Sequence, residues 1–294
     1  MTAFLALVRR EYLEHRGAFL YAPLILIGVI TFLIVTAFVS GRYHIYAPGA
    51  VVQYRVFDTG YLGIALLWGG YMFVAVFFYF ADAFNADKRN NQMFFWKSMP
   101  QTDFTILMSK LVAGLTILPA MVFFALLLNG IVAAATTLLA PYVLPLLGAP
   151  DVPGTAGAWA EVSAAAFCYL LVMLLWYAPF FAWVGALSTA VGRWSIPLAI
   201  LIPVVVSLFE SVIDFGSAPG GGYILAFLKR RLSFEFDITP LQQAVLTNQP
   251  IDLRAAVSHL FAVTDWLSLA GGLVFAVAAV WAASEYRRRY VLKG

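Results

Sequence analysis

Charge is scarce in this chain. Asp, Glu, Lys and Arg together make up 11% of its 294 residues, where a soluble domain carries roughly 25%. That shortage excludes a disordered chain, a solvent-exposed coiled coil and an ordinary soluble enzyme. Cysteine is limited to Cys168, so no internal disulfide can form. The three histidines, His15, His44 and His259, are too scattered for a zinc site, and no HExxH occurs. None of the five lysines follows a glycine, so the phosphate loop GxxxxGK[ST] is missing and the chain has no usual means of hydrolysing ATP. No GxSxG occurs either. The sequence therefore names no catalytic residue, no metal ligand and no resident cofactor. A net charge of +3 is too small to imply nucleic-acid binding.

What the chain has instead is hydrocarbon. Hydrophobic residues make up 63% of it, and the mean hydropathy is +0.88. The fold class read from this is all-α, a polytopic membrane protein. A helix needs roughly 20 mostly apolar residues to cross a bilayer. The charge-free stretches are Gly17–Gly41, Thr59–Ala81, Leu111–Pro150, Val162–Gly192, Trp194–Phe209 and Trp266–Ser284. They predict six transmembrane helices, at about 18–40, 60–82, 104–140, 160–187, 196–214 and 266–285. Pro141, Pro145 and Pro150 end the third near Ala140, and Pro141–Ala160 reads as an irregular connection. The runs lack the alternation of a β-barrel.

Orientation follows from Lys and Arg. With the N-terminus cytoplasmic, twelve of the basic residues fall on the inner side and six on the outer. Both termini are therefore expected in the cytoplasm, and a bacterial inner membrane is the expected location. The first apolar run is longer than a signal-peptide core, and Glu11 and Glu14 interrupt its basic flank, which favours a retained span over a cleaved leader.

Outside the spans, residues 1–17 place Phe4, Leu5, Val8 and Tyr12 at helical spacing, the pattern of an amphipathic helix lying in the interface. The loop 83–103 contains KRNNQMFFWKSMPQTD, with a cluster of large apolar side chains at Met93, Phe94, Phe95 and Trp96. Two readings fit it, a docking helix and an aromatic belt at headgroup level. Thr102 or Asp103 then offers an N-cap. In the outer loop, 215–265, Leu253, Val257, Leu260 and Phe261 predict a short amphipathic helix, and Lys229, Arg230 and Arg231 are placed to meet anionic headgroups. Charge inside the spans is sparse. Glu210 and Asn129 are the candidate pathway residues, with a wet outer interface as the simpler explanation. Gly272, Ala276, Ala279 and Ala283 form a small-residue stripe suited to close helix packing.

This layout resembles the ABC type-2 permeases, the membrane subunits of ATP-driven exporters. The resemblance lies in the N-terminal run LVRREYLEHRG, in the loop DKRNNQMFFWKSMPQTDFTILMSKL with Lys97, Ser98, Pro100, Asp103, Ser109 and Lys110, and in the six-span plan with an enlarged last outer loop. It implies a chain that is not itself an enzyme, paired with a second permease (a copy or a paralogue) and with two ATPase subunits that hold ATP and Mg. It also implies that Asn90, Asn91, Gln92, Met93, Phe94, Phe95, Trp96, Lys97, Ser98 and Met99 form the coupling helix, with Phe95 and Trp96 as anchors. Arg9, Arg10 and Glu11 would brace that contact. Unlike many relatives, the outer loop has no cysteine pair. The cargo expected is amphipathic or lipid-like. The alternatives are an ion-coupled secondary transporter and a lipid-acting integral membrane protein; Glu210 and Asp214, four apart, would be the acids of the latter.

Overall fold

The computed structural model describes residues 2–40, 53–90, 98, 100–143, 149–213, 222–233 and 252–290. These are helical almost throughout, with no strand among the described residues. In chain order the helices are α1 (Thr2–Glu14), α2 (Ala22–Val39), α3 (Gln53–Arg89), α4 (Asp103–Val143), α5 (Val152–Val191), α6 (Ser195–Ile213), α7 (Tyr223–Leu232), α8 (Leu253–Val263) and α9 (Trp266–Tyr290). A π-helical turn, Gly17–Tyr21, joins α1 to α2.

Five segments are long and apolar enough to cross a membrane: Gly17–Val39, Phe57–Arg89, Asp103–Val143, Val152–Ile213 and Trp266–Tyr290. The protein is a membrane protein of five such segments, where six were expected. The difference lies in the fourth, whose 62 residues contain both α5 and α6. Gly192 caps α5 at φ 56°, a backbone angle that favours glycine, and a 3₁₀ turn at Gly192–Trp194 leads into α6. The Trp183 indole N–H donates to the carbonyl of Ala199 at 3.3 Å. Sixteen residues of straight helix would be about 24 Å long, so this contact requires α6 to fold back along α5.

Short polar side chains set the helix starts. Thr102 Oγ1 accepts from the Thr105 N–H at 3.2 Å, which makes Thr102, and not Asp103, the cap of α4. Asp151, Asp252 and Asp265 accept from Gly154, Ala255 and Ser268 at 2.9–3.0 Å and start α5, α8 and α9. The cap at Asp151 with Pro153 in the first turn makes residues 152–160 helical, where an irregular connection was expected. Likewise α4 continues through Pro141 to Val143, because a proline near the end of a helix removes only one of its last hydrogen bonds.

The centre of the bundle is α3, α4, α5 and α9, with α1 and α2 packed on α4. In a bilayer, close approach of helices rather than burial from water drives such packing. Glycine supplies that approach here. A Cβ on Gly130 would lie 2.5 Å from the Tyr61 ring, and one on Gly114 would lie 2.6 Å from both Phe80 and Tyr79. The small-residue stripe of α9 is buried along its length, at Gly272, Ala276, Ala279 and Ala283. By contrast α2 and α6 keep most of their apolar surface exposed, including Ile25, Phe32 and Leu33 on one and Ile200, Leu208 and Phe209 on the other.

Candidate functional site

The chain buries a group of charges at one end of the bundle. Lys110, about two turns beyond the start of α4, is fully buried. Its Nζ lies 2.9 Å from Glu11 Oε1 on α1 and 3.4 Å from Asp87 Oδ1 on α3. Asp87 Oδ2 in turn accepts from Arg287 Nη1 of α9 at 2.7 Å. Arg287 Nε lies 3.1 Å from Asp103 Oδ1 at the head of α4. Glu11, Asp87 and Arg287 are each at most 2% exposed. Three carboxylates thus face two cations. The His15 ring lies 3.6 Å from Glu11 Oε2.

Aromatic rings wall the cluster. The Tyr79 hydroxyl donates to the Lys110 carbonyl at 3.1 Å and lies 3.4 Å from Glu11 Oε2. His15 and Phe19 each pack against the Tyr79 ring at 5.1 Å. Burying charge is costly unless every charge has a partner. The energetically sound arrangement is therefore a closed network, and its members come from α1, α3, α4 and α9.

Position gives the cluster its interest. Asp87 stands two residues before α3 ends at Arg89, and Asp103 begins α4. Both roots of the loop 91–102 are therefore pinned in one network together with α1 and the C-terminal part of α9. The α5–α6 hairpin reaches the same end: a Cβ on Gly192 would lie 3.2 Å from Asn85, and the Ser195 hydroxyl approaches the Ala81 carbonyl at 3.4 Å. α1, the C-terminal part of α9, both roots of that loop and the hairpin tip share one face.

Of the expected coupling residues, Asn90 closes α3, with its N–H donating to Ala86, and is exposed, as is Ser98. Asn91, Gln92, Met93, Phe94, Phe95, Trp96, Lys97 and Met99 lie outside the described residues, as does Asp214. The expected brace divides. Arg9 is exposed, Arg10 pairs with Glu14, and Glu11 alone turns inward. On α1, Leu7 and Glu11, one turn apart, are the buried positions; of the apolar set, Tyr12 packs against the core, Phe4 and Val8 are half-buried and Leu5 is exposed.

The expected pathway residues have partners within the chain. Asn129 is fully buried, accepts from the Trp68 indole at 3.0 Å and donates to Thr31 Oγ1 at 3.2 Å, tying α2, α3 and α4 together. Glu210 accepts from the N–H groups of Tyr223 and Ile224, both at 2.8 Å, and so caps α7. That helix was not anticipated. It carries the basic run expected to meet headgroups, yet Arg231 is only 3% exposed. Its guanidinium lies 4.3 Å above the Trp176 ring and donates to the Ser268 carbonyl at 2.9 Å. Burial pulls its pKa below the ordinary arginine value, an effect that Asp265 partly opposes. Gly272 makes room for it, since a Cβ there would lie 1.7 Å from Arg231 Nη2. Arg230 stays outside and pairs with Asp265. Among the described residues no group of three or more His, Cys, Asp or Glu is placed to hold a metal ion.

The fold and this cluster define an all-helical membrane protein with a group of buried charges at one end of the bundle. Compared with protein-family models, with characterised proteins and with solved structures, the chain matches none.

Proposed function

We propose that this chain is the membrane subunit of an ABC exporter, a non-catalytic permease that works with a separate ATPase. Six crossings are proposed, with α2, α3, α4, α5, α6 and α9 each passing once and the fourth apolar segment reversing at Gly192. The face shared by α1, the C-terminal part of α9 and the roots of the loop 91–102 would be cytoplasmic, in keeping with the excess of Lys and Arg on that side. Two ATPase subunits would dock on it, binding ATP and Mg in their own sites. The exposed apolar sides of α2 and α6 suit lipid or a second permease, a copy or a paralogue. The cargo proposed is amphipathic or lipid-like.

One observation carries this reading. The loop with the Met93–Trp96 cluster is rooted at Asp87 and Asp103 in an ion network that also holds α1 and α9. A push on that loop would act on four helices at once rather than bend one connection. Purification of the tagged chain from native membranes in mild detergent, with mass spectrometry and an ATP hydrolysis assay, tests the proposal. A stoichiometric ATPase with its own phosphate loop is the expected result. Phe95→Ala with Trp96→Ala should then abolish ATP-driven export while the protein still folds, and undiminished export in that double variant would remove the coupling role from this loop.

The buried cluster also favours a second reading, an ion-coupled carrier. Sparse charge in the spans argued against it, but the buried group of Glu11, Asp87, Asp103, Lys110 and Arg287 is the kind of charged site on which ion-coupled carriers rely. Transport by the chain alone in liposomes, abolished by a protonophore and indifferent to ATP, would select this alternative.

A further inference from the structure

At the opposite end of the bundle, α8 lies along the first half of α5 and leaves a groove of about 480 Å³ between them. Its floor is apolar, with Ala164 and Cys168 from α5 and Leu253 and Val257 from α8. Its rim carries one charge of each sign. Glu161 Oε1 and Arg254 Nη2 lie 3.0 Å apart, with side chains 48% and 86% exposed. The Tyr169 hydroxyl donates to the Ala256 carbonyl at 3.1 Å and holds α8 against α5 beside the groove. A cleft of a few hundred Å³ with an apolar floor and few polar groups has the form of a small-molecule site.

The rim decides the occupant. A ligand of a single sign would leave either Glu161 or Arg254 facing like charge. A zwitterion exchanges one ion pair for two, its ammonium meeting Glu161 and its phosphate meeting Arg254, so that no charge loses a partner. The floor in turn requires hydrocarbon. The adjoining end of α8 and the start of α9 expose Phe261, Val263, Trp266 and Leu267, the surface expected where a bilayer begins. We propose that the α5–α8 groove holds a zwitterionic phospholipid, with an acyl chain over Cys168 and the headgroup bridging Glu161 and Arg254. This is independent of the exporter reading, because it uses none of the loop-end cluster.

Cys168, the only cysteine in the chain, reports on the site directly. The full-length chain, stripped of lipid in maltoside detergent, is alkylated with N-ethylmaleimide and followed by intact mass. Phosphatidylethanolamine in mixed micelles should slow the reaction, by about tenfold at ten times its half-protecting level, since an occluded thiol reacts as 1/(1 + [L]/Kd). Phosphatidylglycerol with the same chains should protect far less, and chain-free phosphoethanolamine not at all. Arg254→Gln should reduce protection by phosphatidylethanolamine to the level given by phosphatidylglycerol. Arg254 is exposed, so this substitution should leave the fold intact, and elution on size exclusion checks this. Ala164→Trp should fill the groove, slow alkylation without lipid and remove the lipid response. The proposal is overturned if Cys168 reacts equally with and without phosphatidylethanolamine, if phosphatidylglycerol protects as well, or if the lipid-free thiol does not react. Full protection retained in Arg254→Gln would also overturn it. None of these outcomes bears on whether an ATPase partner exists.

Discussion

Lys110→Met removes one charge from the middle of the buried network and nearly preserves the volume of the side chain. Lys110 holds two carboxylates, at 2.9 and 3.4 Å. At an effective dielectric of about 20, each attraction is about 5 kcal/mol before the cost of desolvation. Most of that gain only offsets the burial of the three charges. Removal of the lysine is different, because the carboxylates stay buried without it. Glu11 then keeps only Tyr79 and His15 nearby, while Asp87 keeps Arg287. Breaking a buried pair in this way costs about 3–5 kcal/mol. For a chain of this size that corresponds to a fall of about 10 °C in melting temperature. Size exclusion after stepwise heating in detergent measures it. Glu11→Gln should be milder, since Lys110 still has Asp87. The double variant should lose less than the sum of the two, by about 0.5–3 kcal/mol. A Lys110→Met protein that melts with the wild type, or strictly additive losses, would refute the network as a coupled unit.

Two further outcomes follow from packing and capping. Gly114→Ala drives a methyl into Phe80 and Tyr79, both buried, and should cost about 1–3 kcal/mol by the same heating assay; a wild-type melting curve would show that these helices can part without loss. Asp265 starts α9, and the Ser268 N–H and hydroxyl, aided by Arg230, hold its carboxyl below the usual carboxylate range. A depressed acid contributes stability above its unfolded pKa and loses it only as pH falls through the lower folded value. The melting difference between the protein and Asp265→Asn should therefore be full from neutral pH to about pH 5 and shrink progressively below it. A difference already gone at pH 5 would contradict the assignment.

Much of the fold was legible in the sequence because hydrocarbon is a blunt requirement. Runs without charge located the helices, and the ends of α6 fell within a residue of expectation. The amphipathic period of Leu253, Val257, Leu260 and Phe261 marked α8. Helix lengths were less legible. α3, α4, α5 and α9 all continue past their apolar cores, because hydrogen bonding and caps such as Asp151 extend a helix wherever the backbone allows it. The helix α7 went unanticipated because its N-terminal support, Glu210, comes from thirteen residues upstream across an unrelated segment.

The candidate site was legible only as ingredients. Glu11, Asp103 and Lys110 stand in the motifs that suggested a family, but nothing in their spacing says that Glu11 points inward while Arg9 points out. Asp87 and Arg287 are 200 residues apart, and each looks like an ordinary charged flank of its own helix. The composition by itself determined that this chain must lie in a membrane as helices, since apolar runs of that length have no other stable place and their backbone must be bonded internally. Which charges come together was decided by tertiary structure alone. A buried ion is tolerable only beside its counter-ion, and for Glu11, Asp87, Lys110 and Arg287 the partners arrive from four different helices, joined only once the bundle has closed.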